Sequence, residues 1–417
     1  MTRATIDLGA LRRNIDTLTT RIAPARLMVM VKANAYGHGL VPVATAAVAS
    51  GVRLLGVLDA ESGLSLRSSG VGSEVRLFAW LFGPEENYRE LVDADIDLGI
   101  SHLHQLERIA RSGAGAPARL HLKIDTGLHR NGASVEEWPG LVTRALELQA
   151  AGVVELVGGW THISEASDED DSIAIDRFHA AIGVADRLGA RFSLLHLAAS
   201  AAGFTRADSR FDAVRVGAFC YGVAPGEGVG PADIGIEPVM TLSAPVVSVI
   251  ADVAAEGDRE IARVAIGFVD GIPSQAAGRV EIAIDGARFP VVRVSAAFLE
   301  ADVTGTTVGA GATAVIFGSG VSGEPTLQEW ADALGTIGEE LVVRLSPRLQ
   351  RHYRSSRLTT QRPDREVSGV ENVAGFDLGA GQARSFSISR DDSSCHSSAL
   401  ADSLSLNLAP WWPQNRS

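Results

Sequence analysis

Four hundred and seventeen residues, 46% of them hydrophobic, hold enough apolar surface for two domains or for one large domain with an appendage. A formal charge of −13 argues against nucleic acid or an anionic membrane as partner, since both select basic patches, and leaves small molecules as the better class. Cys220 and Cys395, the only cysteines, have no metal-type spacing, which fits a reducing compartment, excludes a disulfide framework and gives no sign of a metal. The N-terminal stretch lacks an apolar signal core and no run is long enough to span a membrane, so the expected location is cytoplasmic.

In chain order, residues 7–22 read as a helix with Leu8, Leu11, Ile15 and Leu18 on one face. Apolar runs follow at 27–33, 54–58, 75–81, 96–100, 119–125, 154–163, 192–199 and 212–219, with helical patterns between them. Ser134 and Glu137 form a capping-box signal ahead of Leu141, Ala145 and Leu148. Eight strands alternating with helices predict an α/β fold, a (β/α)8 TIM-type barrel. An open doubly wound sheet is the alternative, without an evident Gly-x-Gly-x-x-Gly fingerprint. From about residue 233, short β-rich pieces at 242–251, 260–266, 279–284, 289–295 and 312–317 predict a smaller β-rich C-terminal domain, with a last helix through 326–334. The expected organisation is a barrel over 1–232, a β-rich domain over 233–354, and a tail over 355–417 whose thirteen serines and aperiodic apolar residues read as mostly disordered.

Lys32 and Lys123 are the only lysines, against thirty-five arginines. A guanidinium stays protonated and is no amine nucleophile, so retention of Lys32 points to a need for an amine. It follows the run Leu27-Met28-Val29-Met30-Val31 and precedes a Gly37/Gly39 turn, which puts it at the carboxyl end of a buried strand. An amine so placed suits Schiff-base chemistry with an aldehyde, of which pyridoxal phosphate is the commonest. The alternative is a surface lysine beside a Gly-rich turn.

The stretch Val31-Lys32-Ala33-Asn34-Ala35-Tyr36-Gly37-His38-Gly39 resembles the cofactor-lysine motif of alanine racemases, pyridoxal phosphate enzymes of fold type III, and the resemblance extends over about residues 5–354. It implies that Lys32 forms the internal aldimine and that Tyr36, otherwise a packing aromatic, bonds the cofactor phosphate. The segment His121 to Gly132 resembles a second motif, in which Lys123 is a carbamylation position and orients Arg130 against the cofactor phenolic oxygen; otherwise Lys123 reads as a lysine paired with Asp125. Trp160-Thr161-His162 resembles the histidine motif, with His162 beside Arg215 in a supporting role; a lone histidine there is otherwise a core residue. His196-Leu197-Ala198-Ala199-Ser200 has Ala199 where the family has asparagine, and leaves Ser200 for the phosphate. Arg215-Val216-Gly217-Ala218 resembles the arginine that faces the pyridine nitrogen, followed by the phosphate-cradling amides of Gly217 and Ala218.

The C-terminal half departs from this pattern. The position of the family's second catalytic tyrosine, contributed by the partner subunit, holds Phe268, which has no exchangeable proton. The family's Met-Asp pair aligns with Ala296-Ala297, and a second phosphate-binding tyrosine with Glu339, a carboxylate that a phosphate dianion would repel. The resemblance therefore implies a pyridoxal phosphate-dependent, alanine racemase-type isomerase of D-amino acid metabolism, acting on alanine or a related small amino acid as a head-to-tail homodimer. Water or Asp270 would supply the missing proton. A one-base enzyme of decarboxylase, aldolase or epimerase type, and a non-catalytic cofactor binder, remain as alternatives.

Overall fold

The computed structural model describes residues 1–226, 228–252 and 259–355. The expected tail, apart from Ser355, lies outside the described residues. Eight parallel strands, Arg26–Met30, Leu54–Asp59, Arg76–Leu81, Ile96–Ile100, Ala118–Lys123, Val154–Trp160, Leu194–His196 and Ala213–Val216, close into a barrel in which the first pairs with the last, Arg26 opposite Ala213. Each lies on one of the eight apolar runs, because parallel barrel strands are buried on both faces and read as nearly continuous apolar sequence. The helix Leu8–Ile22 precedes the barrel; Asp7 caps it by accepting from the amides of Gly9 (2.8 Å) and Ala10 (3.1 Å), and Leu11, Ile15, Leu18 and Ile22 are buried. The capping pair also forms: Ser134 N donates to Glu137 (2.9 Å) and Glu137 N to the Ser134 hydroxyl (3.2 Å), just ahead of the helix Trp138–Ala150.

The second sheet runs in the order Glu260–Val264, Leu299–Asp302, Ala287–Val294, Glu281–Ile284, Thr313–Phe317, Met240–Ala251, Arg3–Asp7 and Gln350–Arg354. Met240–Ala251 pairs with Glu260–Val264 as well, turning the sheet back on itself. Residues 3–7, read from sequence as part of the barrel segment 1–232, instead lie between Met240–Ala251 and Gln350–Arg354. Five residues give too short a pattern to announce a partner more than 230 positions away (Arg3 opposite Ser243), and Gln350–Arg354 is too polar to read as a strand. This threading places the chain after Gly338 against the mouth of the barrel. No helix among the described residues is long and apolar enough to cross a membrane.

The barrel interior is partly polar. His121 and His196 are fully buried within it, and Gly158 on the next strand makes the room: a Cβ there would lie 2.1 Å from His121 Nδ1. Gly158→Ala should therefore destabilise the fold by roughly 1–3 kcal/mol through overpacking, measured by denaturant unfolding; an unchanged midpoint would show that the His121 ring can shift freely.

Candidate active site at the barrel mouth

Lys32 stands two residues beyond the first barrel strand. Ala33, Asn34, Ala35 and Tyr36 then all have φ between 52° and 55°, a left-handed turn built without glycine. Such backbone costs an L-residue roughly 1–2 kcal/mol, so a turn of four needs restraint from outside itself. His38 supplies part of it, its Nδ1–H donating to the carbonyls of Ala35 (3.1 Å) and Tyr36 (2.8 Å). Asn34 Oδ1 accepts from Leu40 N (2.8 Å), and Arg351 of the last strand donates to Gly37 O (2.6 Å). A Cβ on Gly37, whose φ is +75°, would sit 2.4 Å from Val342 O, so the short helix Gly338–Val343 lies directly on the turn.

The Tyr36 hydroxyl reaches Gly217, where a Cβ would lie 2.1 Å away. Gly217 N donates to Ser200 Oγ (3.1 Å). Tyr36, Ser200, Gly217 and Ala218 thus make a small cradle between the ends of the first, seventh and eighth strands. Tyr221, which the sequence reading did not single out, supports it: its hydroxyl donates to Met30 O (2.8 Å), and its ring packs 5.0 Å from Tyr36 and 4.7 Å from His38. Its only signal was position, four residues after Gly217.

The rest of the mouth is cationic. Arg215 spends Nη2 on Thr161 O (2.8 Å), Leu197 O (2.8 Å) and His162 Nδ1 (2.9 Å), and Nη1 on His196 Nδ1 (2.9 Å). Because Arg215 only donates, His196 must accept at Nδ1 and carry its proton on Nε2, which donates to His121 Nδ1 (3.0 Å); His121 Nε2 in turn donates to Asp97 (3.2 Å). Burial would raise the Asp97 pKa, but His121, Arg119 and Arg76 outweigh it and hold the carboxyl at about 2. Asp97 is therefore the fixed anion at the end of a directed chain that begins at Arg215. Sequence reasoning missed this chain because its members lie 19 to 75 residues apart.

Lys123 is buried, bonds the Asn131 carbonyl oxygen, and lies 4.4 Å from the Trp160 ring centre. It does not pair with Asp125, which accepts instead from Gly127 N (3.0 Å), His129 N (3.1 Å) and His129 Nδ1 (2.9 Å). Burial, then Arg130 and Arg215, push the Lys123 pKa well down. Burial and then Arg215 do the same to His162, which is neutral. The Lys32 amine falls to about 8 through burial and Arg130, with Arg215 adding and Glu339 opposing. Lys32, Tyr36, Lys123, Arg130, His162, Ser200, Arg215, Gly217 and Ala218 therefore converge at one mouth.

Phe268 makes none of these contacts. It sits on the 3-10 turn Phe268–Asp270, 53% exposed, beside Val269 at 46%. Its amide donates to Ser295 O (3.0 Å) and that of Val269 to Ala296 O (3.2 Å), so the turn and the exposed Ala296-Ala297 loop are one patch. Asp270 accepts from Gly267 N (3.1 Å). Glu339 has not turned away from the site: its charge acts on both Lys32 and Tyr36.

The family model for the N-terminal domain of alanine racemase matches residues 6–225, and that for its C-terminal domain residues 242–353. The chain belongs to the alanine racemase family. It is 40% identical over 372 residues to the alanine racemase of Salinispora arenicola, covering 84% of this chain and 98% of that one, and 39% identical to that of Streptomyces coelicolor, covering 84% and 95%. The crystal structure of alanine racemase from D-cycloserine producing Streptomyces lavendulae superposes with a TM-score of 0.82 at 35% identity, covering 85% and 97%. Alanine racemases are pyridoxal phosphate-dependent isomerases, and this chain is an enzyme of that type. The donor set fits the cofactor: an amine of lowered pKa, a backbone cradle closed to any Cβ at Gly217, two hydroxyls beside it, and an arginine whose Nε is uncommitted among the described residues.

A pKa depressed to about 8 leaves the Lys32 amine protonated below that value and neutral above it. The rate of loading apoprotein with pyridoxal phosphate, followed by absorbance, should rise with pH and level off above about 8; a rate still climbing at pH 10 would show an ordinary lysine.

Proposed function

We propose that this enzyme isomerises a small amino acid at its α-carbon, with Lys32 as both the attachment point for pyridoxal phosphate and the base on one face. The observation that carries the reading is a partly desolvated amine, tuned to about 8, standing between an anion cradle and a cationic wall. Tyr36, Ser200 and the amides of Gly217 and Ala218 would hold the phosphate, and Arg215 Nε would face the ring nitrogen. A charged guanidinium there, fixed by its chain to Asp97, disfavours protonation of that nitrogen. Bound pyridoxal phosphate supplies a conjugated ring that spreads the electron pair left when the α-proton departs.

Within the protein, Lys32 Nζ takes and returns the proton on its own face. Arg130 would face the cofactor's phenolic oxygen. Lys123 bonds Asn131, and Arg130 and Arg215 act on it more strongly than Asp125 does, so carbamylation would turn a like-charge contact into a favourable one. His162, neutral and bonded to Arg215, orients that arginine. The adjacent exposed pair Phe268 and Val269 supports a shared-site homodimer, since apolar side chains on a protruding turn are commonly buried by a partner. Absence of a membrane helix among the described residues and a buried free Cys220 are consistent with a cytoplasmic enzyme.

A second reading rests on Phe268. Without a phenol, the opposite face has no side-chain acid aligned with the family's, which favours one-base chemistry or slow inversion through water. Solvent-deuterium exchange at Cα of L- and D-amino acids separates these: inversion supports the racemase, exchange with retention the one-base enzyme, and exchange with neither enantiomer overturns both. Phe268→Tyr should raise inversion at least roughly tenfold, given what a positioned acid contributes; an unchanged rate would mean that the missing phenol is not what limits it.

A further inference from the structure

Arg130 is carried by a loop, residues 124–133, that is closed at its base. Ile124 forms a parallel bridge with Ala133, Asp125 N donates to Ala133 O (2.9 Å), and Ala133 N donates to Lys123 O (2.9 Å). A Cβ on Gly132 would lie 2.8 Å from Asp125 N, so the returning arm of the loop lies against the end of the fifth strand. Both neighbours of Arg130 are held from inside the loop. On one side, Asn131 accepts from the buried Lys123 amine. That amine and the Arg215 guanidinium lie over the same Trp160 ring, at 4.4 Å and 5.2 Å from its centre, which places this end of the loop at the barrel mouth.

On the other side stands His129. Its backbone has φ +56°, a left-handed conformation that glycine adopts freely and most L-residues resist. Its side chain is 81% exposed, so burial in the core does not account for a histidine at this position. The ring has one partner among the described residues: Nδ1–H donates to Asp125 Oδ2 (2.9 Å), while Asp125 Oδ1 accepts from the amides of Gly127 (3.0 Å) and His129 (3.1 Å). One carboxylate therefore binds the loop at three points, two of them on the residue just before Arg130. Burial would raise the Asp125 pKa, but these bonds outweigh it and keep the carboxyl ionised, as an acceptor for the ring.

Building on the assignment of Arg130 to the cofactor's phenolic oxygen, we propose that His129 is a positioning residue. By gripping Asp125, its ring sets the backbone from which Arg130 departs, so the guanidinium is aimed before pyridoxal phosphate arrives. Arg130 is thus bracketed by two clasps, His129 on Asp125 and Asn131 on Lys123.

His129→Gly tests this, because glycine takes the same backbone without strain and loses only the ring. The urea unfolding midpoint of the full-length apoprotein should be unchanged or raised. The Kd for pyridoxal phosphate should weaken about two- to fivefold, the range an exposed ion pair supports, and the circular dichroism of the bound cofactor should change. Asp125→Asn keeps Oδ1 for the two amides and alters only the ring's acceptor, so adding it to His129→Gly should cause no further loss of affinity. Wild-type affinity and dichroism in His129→Gly, affinity and unfolding midpoint falling together, or a further loss in the double variant would each overturn the inference. Arg130→Ala separates its failure from that of the underlying reading. If Arg130→Ala weakens cofactor binding and His129→Gly does not, the clasp alone is wrong; if Arg130→Ala leaves binding unchanged, both are.

Discussion

A strained turn holds the site together. Four consecutive residues after Lys32 keep left-handed backbone without glycine, at a cost of roughly 1–2 kcal/mol each. Local sequence does not repay this cost, and much of the restraint comes from elsewhere: from His38 beneath the turn, and from Arg351 and Val342 more than 300 residues later. The C-terminal sheet thus does more than append a second domain. By pairing Gln350–Arg354 with Arg3–Asp7, it brings the restraints for the lysine turn to the barrel mouth.

Charge is arranged around that turn with equal consequence. The barrel interior, ordinarily filled by branched apolar side chains, contains a directed hydrogen-bonded chain from Arg215 through His196 and His121 to an ionised Asp97. The chain fixes the guanidinium without neutralising it. Burial, Arg130 and Arg215 lower the Lys32 pKa, and the Glu339 carboxylate opposes them.

The barrel was legible because each of its strands is a short apolar run bounded by turn residues, and a two-face-buried strand has no other way to look. Leu299–Asp302 and Gln350–Arg354 were not legible: the first is four residues long and the second mostly exposed, so neither shows a period. Lys32 stood out through the scarcity of lysine, and its neighbours through their likeness to a family motif. Tyr221, His121 and Asp97 carried no local signal, because their roles arise from contacts made across the closed barrel. Glu339 was read as a misfit beside a phosphate; sequence alone did not tell whether its loop turned away, and the packing of Gly338 and Val342 keeps it at the site.

The central claim is that one amine, Lys32, carries the cofactor. Borohydride reduction of the pyridoxal phosphate-loaded full-length protein, followed by peptide mapping, tests it most directly. The account requires the reduced pyridoxyl group on the peptide containing Lys32 and an unlabelled Lys123. Label on Lys123, or no label after complete cofactor loading, would contradict it.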